Sequence, residues 1–257
     1  MPGKSRIRND LNLSQKNVLS RAVRLAELVF FPSFCKICGS LLESPHDRVV
    51  CRSCLEKIKP RRSAFCLCCG RFFEGGGESH LCSDCLKDQR PYSLHRSCAR
   101  YEGILKDAIL LFKYRGYKPL GKHLSRFVFE SLKKEDGLWW DLEAIIPVPL
   151  HPKRLRERGF NQALVIAKEL SKLKKIPLKN KILKKVMNVA AQTSLEREER
   201  IKNVRGVYRV TKNAEIKGKV ILLVDDVYTT GSTLKECSAE LKKAGAKEVR
   251  AITIAQA

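Results

Sequence analysis

One cysteine spacing occurs twice in this chain, and it constrains the fold more than any other feature. Each copy is a Cys-x-x-Cys-Gly turn, then a second Cys-x-x-Cys turn followed by Leu, and the copies are offset by 31 residues. Each turn presents two thiolates, so two turns complete a tetrahedral four-thiolate site. Such soft ligands favour Zn²⁺, with an iron–sulfur cluster as the main competitor. The predicted ligands are Cys35, Cys38, Cys51, Cys54, Cys66, Cys69, Cys82 and Cys85.

The metal is expected to be structural, about two ions in all, because a closed four-thiolate site keeps no open coordination position. The spacing leaves open which cysteine pairs share an ion. His46 and His80 find no vacancy in either set. Of the remaining cysteines, Cys68 lies inside a turn as a bystander, whereas Cys98 and Cys237 are expected to be packed thiols rather than nucleophiles.

The composition predicts a folded, strongly basic protein. The 257 residues are 44% hydrophobic, enough for a buried core, and carry 51 Lys and Arg against 27 Asp and Glu, a net charge of +24. The densest block is 151–185, with twelve basic and two acidic residues. We therefore expect a polyanionic partner: nucleic acid, a phosphorylated small molecule or an anionic membrane surface.

We expect no targeting signal in the N-terminal region. No window approaches the ~20 uncharged apolar residues of a membrane span, and the apolar run 28–31 is too short for a secretory signal, so a cytoplasmic location is expected. Residues 1–14 are predicted to be a disordered basic arm. Residues 15–31 show helical spacing and predict one amphipathic helix. This helix is expected to pack on its own protein, with peripheral contact to an anionic membrane surface or contact with a partner as the alternative.

Residues 32–90 form the cysteine-rich region, and from residue 99 to 257 apolar runs alternate with helical patterns. Strands alternating with helices predict a parallel sheet with crossover connections. The candidate helices are 103–115, 119–134, 160–174 and 232–244, the last ended by Gly245, and the candidate strands are 143–148, 219–224 and 248–254.

The chemically richest segment follows the candidate strand 219–224. The strand ends in Asp225 and Asp226, and ligands of open α/β sheets bind at such carboxyl ends. The small-residue loop that follows, at a helix N-terminus, predicts an anion cradle for a phosphomonoester made by Thr229, Thr230, Gly231, Ser232 and Thr233. The loop lacks Gly-Lys-Ser/Thr and is not a Walker A loop. A ribose 5-phosphate suits it, because the sugar hydroxyls can donate to the two carboxylates.

The segment 224–233 resembles the 5-phosphoribosyl 1-diphosphate signature of type I phosphoribosyltransferases. Over roughly residues 20–257 the chain resembles the ComF family of competence-associated, phosphoribosyltransferase-like proteins. The motifs that carry this resemblance are the double cysteine repeat, 111–116, 146–151, 156–162, 192–195, Arg200 and 203–204. Ser232 stands where alanine is common in such loops.

The resemblance implies an α/β fold with a type I phosphoribosyltransferase-like parallel sheet flanked by helices, preceded by a small double zinc ribbon. It implies that Asp225 and Asp226 are catalytic, holding the ribose and assisting Mg²⁺ placement. It also implies that the segment after strand 143–148 meets the diphosphate, whose leaving charge cations would stabilise: Lys153, Arg154, Arg156 and Arg158. Arg200 lies where similar enzymes close a flap over the substrate. The alternatives for the basic segment are a solvated loop or a contact with nucleic acid phosphates, and the second of these need not exclude the diphosphate role.

Two functions follow from these observations. The first is a phosphoribosyltransferase that transfers a pentosyl group to an acceptor the sequence does not specify, acting in competence or DNA processing. The second is a non-catalytic single-stranded DNA-binding protein of the transformation machinery, with a helicase-like partner and a vestigial or regulatory phosphoribosyl site. The sequence does not specify the oligomeric state.

Overall fold

The computed structural model describes residues 32–42, 49–61, 63–75, 77–187, 206–211 and 213–257. The chain divides into two compact units after Glu56, and each is described by itself. The predicted arm 1–14, the predicted helix 15–31, His46 and Arg200 lie outside the described residues.

The first unit contains the first copy of the cysteine repeat. An antiparallel bridge between Phe34 and Leu41 closes a tight turn, in which the Gly39 amide donates to the Cys35 carbonyl (2.9 Å). Gly39 has φ +74°, a left-handed conformation that glycine adopts without steric cost. Helix α1 (Arg52–Glu56) carries the last cysteine of this copy.

The second copy repeats this local structure inside the second unit. Phe65 and Phe72 form the equivalent bridge, Gly70 has φ +67°, and helix α2 (Ser83–Lys87) carries the last cysteine. Here the turn packs on the sheet: a β-carbon at Gly70 would collide with the His95 carbonyl oxygen and lie 3.2 Å from its carbon.

The second unit is built on a parallel sheet. Its strands are β1 (Leu94–Arg100), β2 (Ala144–Pro147), β5 (Val220–Val224), β6 (Val227–Tyr228) and β7 (Glu248–Gln256), in the order β1-β7-β5-β2, with β6 paired to β7. All five residues of β5 are buried, as a strand covered on both faces requires. Two further strands, β3 (Leu183–Lys185) and β4 (Tyr208–Val210), form a separate antiparallel pair.

The helices of this unit are α3 (Gly103–Tyr114), α4 (Leu120–Leu132), α5 (Asp136–Trp139), α6 (Pro152–Arg158), α7 (Gln162–Lys174) and α8 (Ser232–Lys243). Every helix and strand predicted from residue 103 onward is confirmed, with ends within two residues. Among the residues that the model describes, no helix is both long and apolar enough to cross a bilayer.

Several elements are not predicted by the sequence patterns, and two of them show why. Strand β1 was not predicted, because its sequence LHRSCAR is largely polar, yet its residues pair with the whole second half of β7. The basic segment after β2 is a helix, α6, rather than a loop. Pro152 occupies its first turn, the His151 Nδ1 accepts from the Lys153 amide (3.3 Å), and Gly159 ends it at φ +74°.

Candidate functional site

The site lies where two neighbouring parallel strands end. Pro147 of β2 pairs with Val224 of β5, so the segments after both strands leave the same edge of the sheet. Asp225 and Asp226 follow Val224 directly. Backbone bonds from Asp225 N to Ile252 O (3.0 Å) and from Ile254 N to Asp226 O (3.0 Å) keep this pair attached to the sheet.

The two carboxylates have different partners. Lys113 Nζ, in the last turn of α3, contacts Asp226 Oδ1 at 2.7 Å, and both side chains are only 14% exposed. The Asp226 amide donates to Asp225 Oδ1 (2.8 Å). Burial and the neighbouring Asp226 charge raise the pKa of Asp225 to about 7, against the opposing effect of Lys113 and Lys185. Asp225 is therefore poised between its neutral and charged forms near neutral pH.

Lys185 approaches the carboxylate pair from β3. Burial lowers the pKa of its ammonium group, and the charges of Arg154 and Arg158 lower this pKa further. The charge of Asp225 raises it. The ammonium also lies 5.4 Å from the centre of the Tyr208 ring. Tyr208, on β4, interacts through its hydroxyl with the Thr233 side chain. Strands β3 and β4 thus place a cation and an aromatic ring beside the two acids.

The predicted cradle, here named the phosphate loop (229–233), is a tight turn into α8. Gly231 has φ +76° and is the N-cap of the helix, which no side chain caps. The Thr230 and Ser232 hydroxyls are 2.5 Å apart, and the Ser232 amide donates to Thr230 Oγ1 (3.4 Å). A β-carbon at Gly231 would lie 2.6 Å from Cζ of Tyr228, so the loop packs directly on that ring. The uncapped first turn can supply amide donors to an anion.

The four predicted diphosphate ligands all lie on α6 but do not share one environment. Arg154 and Arg158 are half-buried and close enough to Lys185 to affect its pKa. The Arg158 guanidinium lies 5.0 Å from the centre of the Tyr114 ring, next to Lys113. Lys153 and Arg156 are exposed. The structure therefore places Arg154 and Arg158, but not Lys153 and Arg156, near Lys185.

The eight predicted metal ligands form two clusters. The sulfurs of Cys35, Cys38, Cys51 and Cys54 lie within 4.8 Å of one another, and so do those of Cys66, Cys69, Cys82 and Cys85. Each copy of the repeat therefore makes its own site, without exchange of pairs. We call Cys35, Cys38, Cys51 and Cys54 the first cysteine cluster. We call Cys66, Cys69, Cys82 and Cys85 the second cysteine cluster.

The environment of the sulfurs fits a thiolate-bound metal. The Cys51 amide donates to Cys35 Sγ and the Cys82 amide to Cys66 Sγ, each at 3.3 Å. The Ser40 hydroxyl lowers the pKa of Cys38 to about 6. Burial opposes ionisation of Cys66, but backbone amides led by that of Cys82 lower its pKa to about 7. Four convergent sulfurs, some stabilised as thiolates, support a structural zinc in each cluster.

The remaining cysteines are not part of either cluster. Cys98 and Cys237 are buried, and burial raises the pKa of both thiols, as expected for packed side chains. Cys68 is half-buried, and its carbonyl accepts from the His95 amide (2.7 Å).

Three residues of the site were not assigned a role from the sequence. Lys113 lies in the motif 111–116, so its position in that motif was an available signal. Lys185 and Tyr208 carry no local signal, because only the pairing of β3 with β4 brings them to the acids.

Comparison with known protein families finds two domains, in the order that the sequence analysis predicts. The family model described as a double zinc ribbon domain matches residues 27–86, and that described as a phosphoribosyl transferase domain matches 157–257.

Three relatives illustrate the similarity along the chain. Competence protein F of Haemophilus influenzae is 36% identical over 150 residues, covering 57% of this chain and 65% of that protein, just under two thirds. Competence protein ComFC of Streptococcus pneumoniae is 31% identical over 160 residues, covering 62% of this chain and 67% of that protein. DNA utilization protein YhgH of Escherichia coli is 27% identical over 237 residues, covering 91% of this chain and 86% of that protein.

Proposed function

The chain belongs to the ComF family, and from that premise we propose that it binds 5-phosphoribosyl 1-diphosphate with Mg²⁺ at the carboxyl edge of its sheet. The observation that carries this proposal is the Asp225–Asp226 pair, flanked by Lys113 and Lys185 and followed directly by an uncapped helix start. The names of the relatives, which refer to competence and DNA utilization, support a role in DNA uptake or utilisation.

The arrangement of charges favours a phosphorylated sugar over a simple anion. Two carboxylates beside a phosphate cradle repel a bare phosphate, whereas the 2′ and 3′ hydroxyls of a ribose donate to them. In this assignment Asp225 and Asp226 hold the ribose, and the phosphate loop holds the 5-phosphate through its amides and hydroxyls.

The diphosphate is assigned to the basic side of the site. Lys185 lies within electrostatic range of Asp225, and Arg154 and Arg158 lie within electrostatic range of Lys185. Lys153 and Arg156 are on the same helix as the two arginines, and Arg200 is the residue that would close over the ligand. Asp225 and Asp226 would help to hold Mg²⁺, which would neutralise part of the diphosphate charge. In pentosyl transfer these cations would stabilise the negative charge that develops on the leaving diphosphate.

Single-stranded DNA binding is the second candidate function, and one cavity favours it. A cavity of about 920 Å³ near α6, α7 and β3 has apolar walls that include Leu150, Leu155 and Phe160. Five lysines line it: Lys118, Lys168, Lys181, Lys184 and Lys185. A basic groove with apolar surfaces suits a strand that has a charged backbone and unpaired bases. We place both functions in the cytoplasm, where thiolate clusters stay reduced, beside a helicase-like partner.

The test is a calorimetric titration of phosphoribosyl diphosphate with Mg²⁺ into the wild type and into Asp225→Ala/Asp226→Ala. We expect the double variant to lose binding by at least roughly a hundredfold, because both ribose acceptors are removed. Its affinity for single-stranded DNA should be retained. The matched control is Glu74→Ala/Glu130→Ala, which removes two exposed surface carboxylates and should leave both affinities unchanged.

Two results would contradict the proposal. A folded, zinc-loaded wild type that fails to bind the ligand would exclude the phosphoribosyl site and leave DNA binding as the function. Equal binding by the wild type and the double variant would place the ligand elsewhere on the molecule.

A further inference from the structure

A continuous set of buried contacts joins the second cysteine cluster to the phosphate loop, and it begins at His95 of β1. The His95 amide donates to the Cys68 carbonyl (2.7 Å), and the ring Nδ1 lies 2.8 Å from the Cys69 carbonyl. Because a carbonyl only accepts, Nδ1 carries the proton, and Nε2 accepts from the Thr253 hydroxyl (3.0 Å). His95 is fully buried. Its orientation is thus fixed from one side by the backbone of the second cysteine cluster.

The next contact is between His95 and Tyr228. The two rings stack with centroids 4.4 Å apart and planes inclined by 17°. The Tyr228 hydroxyl lies 3.4 Å from that of Tyr92, and both tyrosines are buried. Arg90 provides a second connection, because its guanidinium donates to the Cys85 sulfur and lies within electrostatic range of both tyrosines.

The last contact is between Tyr228 and the phosphate loop. The Tyr228 ring lies directly against Gly231, leaving no room even for a β-carbon. Gly231 is also the N-cap that sets the direction of the first-turn amides of α8. Since packed interiors transmit displacement rather than absorb it, a shift of the Tyr228 ring moves the amides that would bind phosphate.

We propose that metal binding at the second cysteine cluster and phosphate binding at the phosphate loop are cooperative, with His95 and Tyr228 as positioning residues. Bound metal fixes the turn that carries Cys68 and Cys69, and this turn fixes the ring of His95. The His95 ring positions Tyr228, and Tyr228 positions Gly231. The inference rests on the proposed function, because it takes phosphoribosyl diphosphate as the ligand of the loop. Linkage makes the effect reciprocal: ligand in the loop must tighten metal binding by the same factor.

The repeat supplies a matched pair of variants for the full chain. Cys51→Ser and Cys82→Ser remove equivalent ligands from the first and second clusters. Calorimetry with phosphoribosyl diphosphate and Mg²⁺ should show about tenfold weaker binding for Cys82→Ser, a typical coupling factor, and no more than roughly twofold for Cys51→Ser. Equal weakening by both variants, or none by either, would overturn the proposal.

The reciprocal measurement does not depend on the folding of Cys82→Ser. In Cys51→Ser the second cysteine cluster is intact, and its zinc affinity can be measured by competition with a chelator of known affinity. Saturating phosphoribosyl diphosphate with Mg²⁺ should raise that zinc affinity about tenfold. An unchanged zinc affinity would refute the coupling.

His95→Phe separates positioning from simple structural support. Phenylalanine keeps a ring beneath Tyr228 but loses every ring hydrogen bond of His95, including that to the Cys69 carbonyl. In the Cys51→Ser background this variant should still bind zinc and ligand, with the reciprocal effect abolished. Coupling of undiminished size would exclude His95 as the connection. A wild type that binds no ligand refutes the proposed function, whereas ligand binding that is independent of zinc refutes this inference alone.

Discussion

Burial and the adjacent Asp226 raise the pKa of Asp225 to about 7, so we expect binding of the proposed ligand to depend on pH. Only the ionised carboxylate accepts hydrogen bonds from both ribose hydroxyls without donating one. Lowering the pH through the raised pKa protonates Asp225, so affinity falls on the acid side. We expect about tenfold weaker binding of phosphoribosyl diphosphate at pH 6 than at pH 8, measured by calorimetry at constant Mg²⁺.

Asp225→Asn is the control for this prediction, because the amide cannot titrate. Its affinity should be lower at pH 8 and nearly constant across the range. A pH slope as steep as that of the wild type would assign the titration to the ligand phosphate or to another residue.

Gly231 and Gly218 allow backbone strain and steric collision to be separated. Their φ angles are +76° and +74°, but a β-carbon at Gly231 meets the Tyr228 ring, whereas one at Gly218 meets nothing within 4 Å. Alanine at either position should cost about 1 kcal/mol for the left-handed backbone, measured by chemical denaturation.

Gly231→Ala should lose a further 1–3 kcal/mol, roughly, from overpacking, together with ligand binding. Gly218→Ala should keep ligand affinity. Equal losses of stability in the two variants would show that the phosphate loop rearranges to accommodate the extra methyl group.

At the scale of elements, the sequence predicts what is local. Helices α3, α4, α7 and α8 are amphipathic, and β5 is a continuous apolar run, so periodicity and length indicate both types. Periodicity does not predict strand β1, because His95 and Ser97 are polar yet buried. Their burial is possible because both hydrogen-bond to Thr253 of β7. Lys185 reaches the site through the same kind of long-range pairing, which leaves no trace in the local sequence.

Helix α6 presents its cations unequally, and this predicts unequal effects on diphosphate binding. Arg154→Gln/Arg158→Gln should weaken phosphoribosyl diphosphate binding about a hundredfold or more, because each arginine contributes a charge-assisted contact of the kind worth about 1.5–3 kcal/mol. Binding of ribose 5-phosphate, which lacks the diphosphate, should change little. Calorimetry with both ligands measures the difference.

Arg156→Gln is the matched control on the same helix, since Arg156 is exposed. It should change either affinity by roughly twofold at most. If Arg156→Gln weakens binding as much as the double variant, the helix acts through its overall charge rather than through the two half-buried arginines.

For the whole molecule, the net charge of +24 predicts DNA binding that depends steeply on salt. If about four phosphates are neutralised, affinity for single-stranded DNA should fall roughly 50-fold between 50 and 200 mM salt. Asp225→Ala/Asp226→Ala should show the same slope, because it removes no cation. A flat salt response, measured by fluorescence anisotropy, would exclude the electrostatic binding mode.

The two cysteine clusters come from one repeated sequence, but the space around their knuckle glycines differs. A β-carbon added at Gly39, the knuckle glycine of the first copy, would meet no atom within 4 Å among the described residues, whereas one at Gly70 would collide with the His95 carbonyl oxygen. A side chain at position 39 would therefore meet only the strain of the left-handed backbone. The second copy must also preserve its fit to β1. Comparison of homologues should therefore find fewer accepted substitutions around Gly70 than around Gly39.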